Sequence, residues 1–190
     1  MLDLRKNPAA TSRGIRNNNP FNLVKTAIKW QGKTAGTDSR FETFESVEYG
    51  IRAGIIDIIG DIGNKGQDTI KKLITVFAPP HENDTTAYIR YVEGVTGVNQ
   101  NDSLIKNGKV DQVLLGKLIT AIINKENGAA QAKLIPAASI QKAIDLALNN
   151  PTGKKFILPL NGSKNPINKD ITGTLFMILL AGIIVSTFIK

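Results

Sequence analysis

The sequence predicts an α+β, mainly helical domain followed by one C-terminal transmembrane helix, and three observations carry that expectation. Apolar residues recur every three or four positions in five segments between Val47 and Leu148, the spacing that puts them on one face of a helix. Only Leu23 to Phe44 escapes this period, being rich in Thr, Gly and aromatic residues. From Ile171 to Ile189 the chain runs nineteen residues without a charge.

Taken in order, the stretch from Leu23 to Phe44 has turn signals at Gln31-Gly32 and Gly36-Thr37-Asp38 and reads as a small β-hairpin or irregular lobe. Ser46 is placed to cap a helix carrying Val47, Ile51, Ile55, Ile58 and Ile62, with Gly63 at its end. A second helix starts at Asp68 or Thr69, carries Ile70, Leu73, Ile74 and Phe77, and stops at Pro79-Pro80. A third begins at Asp84 and carries Tyr88, Ile89 and Val92 before Gly94. The fourth, Val110 to Glu126, buries Val113, Leu114, Leu118, Ile119, Ile122 and Ile123 and closes at Asn127-Gly128. Pro136 opens a fifth, with Ile140, Ile144 and Leu148 inward.

The expected domains are therefore residues 1–148, a Pro/Gly/Asn-rich linker or arm at 149–170, and a membrane-spanning helix at 171–189. At ~1.5 Å per residue the last segment reaches about 28 Å, close to the ~30 Å of a bilayer core. Its surface is apolar all round, unlike that of an ordinary core helix. The start of the chain, MLDLRKNPAATSRG, has no apolar run, so the segment reads as a C-terminal single-pass anchor. Lysines on both sides leave its orientation open.

With 42% hydrophobic and 21% charged residues the chain has the composition of a folded protein. Its net charge of +8 favours anionic partners: nucleic acid, lipid headgroups or the anionic polymers of bacterial walls. Basic residues are dispersed and no aromatic platform is interleaved with them, which argues against nucleic acid. There is no cysteine and one histidine, His81, between Pro80 and Glu82. Thiolate zinc sites are excluded, a metal site or Ser-His-Asp triad would rest on that single histidine, and no metal or cofactor is expected.

The sharpest string is Ser12-Arg13-Gly14-Ile15-Arg16-Asn17-Asn18-Asn19-Pro20-Phe21-Asn22-Leu23. Consecutive asparagines before a proline have two readings. Their amides suit the hydroxyl and amide groups of sugars, or they cap their own backbone in a turn.

The string resembles small lysozyme-like proteins of phage genomes, often labelled virion structural proteins, which carry RGIRNNNPGN near their start. The resemblance continues through Trp30-Gln31-Gly32 and the segment Phe41 to Ala53, FETFESVEYGIRA. It goes on with Ala78 to Thr85 ahead of Tyr88-Ile89 and ends near Ala121 to Gly128, AIINKENG. Phe21 departs from the family's usual glycine. More distantly, the order of these motifs looks like bacterial wall glucosaminidases, whose catalytic Glu precedes the Asn-Asn segment; here no acid lies between Arg5 and Asn17, where that residue is expected.

Leu115 to Gly128 looks like the lytic transglycosylase helix that ends in Glu-Ser-Gly, with Asn127 in place of serine. The resemblance therefore implies a lysozyme-like domain, possible in circularly permuted form, with Glu126 at the catalytic corner and the chain's start beside it. A helix C-terminus disfavours a carboxylate, which suits a general acid that stays protonated near neutrality. Glu48, in the first turn of its helix, suits a fixed carboxylate, a base or a structural cap, and Glu42 and Glu45 are weaker candidates on the same segment. Two carboxylates serve most glycosidases, whereas wall lytic transglycosylases manage with one acid. The resemblance implies that Asn18, Asn19 and Tyr88 line a sugar groove and that Trp30 stacks on a sugar face, although a lone Trp also suits the core.

These readings lead to a membrane-anchored virion protein that binds and cleaves peptidoglycan glycan strands as a phage enters its host. Its implied partners are peptidoglycan, the lipid bilayer of a lipid-bearing particle, and capsid or other virion proteins. The alternative is a non-enzymatic minor structural membrane protein that links capsid and lipid.

Overall fold

Residues 1–149, apart from Glu82, are described by the computed structural model of the chain. Side-chain caps set where most helices begin, because the first N–H groups of a helix have no partner of their own. Ser12 accepts from the Ile15 N–H and opens a single turn, α1 (Arg13–Arg16). Two short strands follow, β1 (Lys33–Thr34) and β2 (Thr43–Phe44), antiparallel with Lys33 opposite Phe44 and Thr34 opposite Thr43. The Ser46 hydroxyl accepts from Tyr49 N–H and starts α2 (Val47–Asn64). Thr69 does the same for α3 (Ile70–Phe77), and Asp84 for α4 (Thr85–Thr96). The Asp111 carboxylate accepts two N–H groups at the head of α5 (Gln112–Asn127). A turn of helix, α6 (Ala129–Ala132), leads to α7 (Ala137–Leu148), which Pro136 precedes.

Ile51, Ile55, Ile58 and Ile62 of α2 are all at most 1% exposed and form the spine of one hydrophobic core. Helix α7 lies along α2, while α5 packs between α4 and α7 and touches α1. The Asn-rich loop is pressed against α2 through two glycines. A Cβ on Gly50 would stand 1.8 Å from the Asn18 carbonyl oxygen, and one on Gly54 would stand 2.4 Å from the Phe21 ring. Phe21 is fully buried there and meets Phe77 edge to face. The bulky residue at this position is thus accommodated by the missing side chain of Gly54.

The expected fold class is corrected. The described residues form a helical domain in which the β component is one sheet of two two-residue strands. The segment from Leu23 to Phe44 folds its aromatics inward and spends its turns on irregular backbone, so no sheet layer develops. The transmembrane helix in that fold class is also corrected: among the described residues no helix is long and apolar enough to cross a membrane. The longest, α2, carries Glu48, Arg52, Asp57 and Asp61. The linker and anchor expected at 149–170 and 171–189 lie, beyond Asn149, outside the described residues.

Helix limits shift in understandable ways. Helix α4 runs through Gly94 to Gly97, whose φ of 73° gives the left-handed cap that Gly94 does not provide. Helix α5 starts at Gln112 because Asp111, not Val110, supplies the cap. Val113 is 69% exposed rather than buried, since it lies in that solvent-facing first turn.

Candidate functional site

Glu126 is the penultimate residue of α5, on the side facing α4 and the loop after α1. Its residue is 9% exposed, and both carboxyl oxygens are held. Tyr88, on the buried face of α4, donates its hydroxyl to Oε1 at 3.1 Å. Asn22 donates its amide to Oε2 at 3.1 Å. The Tyr88 ring is fixed edge-on against Phe77, and the Lys125 ammonium lies 5.6 Å from its centroid. Burial strips water from the carboxyl and pushes its pKa up to about 7. The two hydrogen bonds and the nearby Lys125 pull in the other direction without cancelling that effect.

The next residue fastens the corner. Asn127 donates to the Pro20 carbonyl at 2.8 Å and to the Ile123 carbonyl at 3.0 Å, and its Oδ1 accepts from the Ser12 hydroxyl at 3.0 Å. Gln131 completes the join, accepting from the Thr11 and Ser12 N–H groups and donating to the Ala9 carbonyl. The end of α5 and the start of the chain are therefore neighbours, and the residue before Asn127 carries a carboxyl whose pKa is raised to about 7. Such a group can donate a proton to a leaving oxygen.

The structure brings Glu126 and Tyr88 together. Glu48, Asn18, Asn19 and Trp30 have other surroundings. Glu48 is buried at the head of α2, where it accepts the Leu2 N–H at 2.8 and 3.1 Å and the Ser139 hydroxyl at 3.0 Å. Burial opposes its ionisation, yet these donors hold it below the usual glutamate value. It shares no hydrogen-bond partner with Glu126 among the described residues.

The Asn18 and Asn19 side chains are fully buried. Asn18 accepts from Leu4 N–H and donates to Asp3 and to the Phe44 carbonyl. Asn19 accepts from Leu23 N–H and donates to the Leu23 and Glu42 carbonyls. Trp30 is 8% exposed and packs in the core. Glu42 is likewise structural, pairing with Lys33 at 2.8 Å and the Thr26 N–H at 2.9 Å. His81 sits exposed in a turn, and among the described residues no cluster of acidic, His or Cys side chains could hold a metal ion.

Asn22 is the participant that the sequence alone did not single out. It lies in the same string as Asn18 and Asn19, separated from them by Pro20-Phe21. Its backbone φ of 52° is left-handed, a conformation asparagine tolerates better than most residues.

A helical domain with a buried, proton-retaining carboxyl at one helix end is the class that fold and site define. Its sequence is 34% identical over 133 residues to Protein P5 of Pseudoalteromonas phage PM2, covering 68% of this chain and 78% of that protein. The chain belongs to the family of that phage protein. No family model matches it.

Proposed function

We propose that the protein is a virion component that cleaves the glycan strands of peptidoglycan, with Glu126 as the general acid. The observation that carries this reading is the Glu126 corner: a carboxyl buried at the end of α5, oriented by Tyr88 and Asn22, with a pKa near 7. A glycosidic leaving group requires an acid that still holds its proton near neutrality, and burial supplies one. The relationship to a phage protein supports the setting, and the basic chain, at +8, suits an anionic wall. In this reading Tyr88 and Asn22 hold the acid, Asn18 and Asn19 build the loop beneath it, and Glu48 ties the chain's start to α2 and α7.

The test is clearing of purified sacculi in a zymogram by the intact protein and by Glu126→Gln and Glu48→Gln separately. Clearing that is lost in Glu126→Gln and retained in Glu48→Gln is expected; full activity in Glu126→Gln overturns the assignment. Clearing should also decline as pH rises through about 7, where Glu126 loses its proton.

A second reading, a non-enzymatic structural component that contacts other virion proteins, is favoured by the same burial that leaves Glu126 only 9% exposed. Absence of clearing by the folded wild-type protein supports it.

A further inference from the structure

Asn22 is 4% exposed, and its two amide atoms have unequal surroundings. Nδ2 donates to Glu126, whereas Oδ1 is buried with no hydrogen-bond partner among the described residues. A buried acceptor left unpaired costs on the order of 1–3 kcal/mol, so its place calls for a reason. Three oxygens converge over Gly14, at the point a Cβ there would occupy. Asn127 Oδ1 would lie 2.4 Å from it, Asn22 Oδ1 2.9 Å and the Asn19 carbonyl 3.0 Å. All three are acceptors, and only the absence of a side chain on Gly14 lets them approach.

The partners of Glu126 differ in what they can do when it is protonated. The Tyr88 hydroxyl has no second partner among the described residues, so turning its hydrogen away from Glu126 would leave that hydrogen unpaired. Turning the Asn22 amide over would instead bring Oδ1 to the carboxyl and carry Nδ2 to the Gly14 side, where Asn127 Oδ1 and the Asn19 carbonyl also lie. The acid's proton would then have an acceptor, and the buried oxygen that is now unpaired would have a donor.

We infer that Asn22 is a two-orientation positioning residue for Glu126. Its Nδ2 holds the carboxylate, and after protonation its Oδ1 accepts the acid's proton while Nδ2 turns to the oxygens over Gly14. The protein would thereby keep the Glu126 carboxyl in one place in both charge states, as a group that gives up and regains a proton each turnover requires. The inference rests on Glu126 as the acid of the proposed reaction, but its geometry can be tested without substrate. The other titratable groups around this corner are Tyr88 and Tyr91 on α4 and Lys125 on α5 itself. Arg13 of α1 is paired with Asp38.

The experiment uses the isotopically labelled full chain and reads two signals by NMR across the Glu126 carboxyl titration. Nuclear Overhauser contacts from the Asn22 side-chain amide protons to the Gly14 α protons should be stronger below the Glu126 midpoint than above it. Contacts that do not change with pH overturn the inference.

Asn22→Gly removes the amide while suiting the left-handed backbone, so the fold, read by circular dichroism, should be retained. Its Glu126 midpoint should move upward, because both charge states lose a partner and the bond to the charged form is the stronger of the two. The wild-type amide contacts decide the inference, and contacts independent of pH overturn it whether or not the variant folds. Wild-type protein that shows the pH-dependent contacts but clears no wall would remove the enzymatic reading and leave the positioning role standing. If it does clear wall, the pH profile of clearing should move with the Glu126 midpoint in Asn22→Gly.

Discussion

Glu126 and Glu48 show how one residue type acquires opposite properties from its surroundings. Both are buried, but Glu126 has two neutral donors and a raised pKa, whereas Glu48 receives two hydrogen bonds from one backbone amide and another from a serine and is held low. The consequence for stability has a definite sign. A carboxyl whose folded pKa lies above its unfolded value leaves the unfolded chain binding fewer protons as pH rises, so stability falls between about 4.5 and about 7. The amount is on the order of 3 kcal/mol. Asp57 on α2, likewise pushed to about 7 by burial and by Asp61, adds a parallel decline. Glu126→Gln should therefore be more stable than wild type at alkaline pH, and the difference should shrink toward pH 4.5, as urea unfolding at several pH values will show. Glu48 has the reverse sign: its contribution is present above its unfolded pKa and lost as pH falls through its lower folded value.

At the scale of elements, α2 joins the helical core to the Asn-rich loop. Gly50 and Gly54 are one turn apart and leave room for the Asn18 carbonyl and the Phe21 ring. Gly50→Ala drives a methyl into backbone and should destabilise the protein by about 3 kcal/mol, measured by chemical denaturation; a change near zero would mean the loop can move away at little cost. Ser46→Ala removes a cap and should lower stability by about 1 kcal/mol in the same measurement. The five main helices and the caps Ser46, Thr69 and Asp84 were legible in the sequence, since capping and periodicity are local. The turns α1 and α6 were not, being too short to show a period.

For the molecule as a whole, the chain's start is a structural member. Glu48 joins α2 to Leu2 and to Ser139 of α7, and Leu4 is buried in the core at 2% exposure. Glu48→Ala would strand the Leu2 N–H and the Ser139 hydroxyl and should cost about 3 kcal/mol. Removing residues 1–5 should destabilise the protein at least as much, with a lower thermal midpoint by calorimetry. Because those residues also bind Asn18, the loss should reach the Glu126 corner, seen as increased amide exchange at Asn22.

The sequence by itself determined the helical periodicity, most of the caps, the basic charge and the position of Glu126 at the end of a helix. These are properties of neighbouring residues or of totals. The tertiary structure alone decided what surrounds each polar group. Three asparagines in one string diverged, Asn18 and Asn19 into loop backbone and Asn22 toward Glu126, because α2 and α5 approach that loop from different sides. The acidity of Glu126 follows the same rule. Its helix end suggested a raised pKa, but burial between α4 and the loop is the largest cause, and burial is settled only when elements distant in sequence meet.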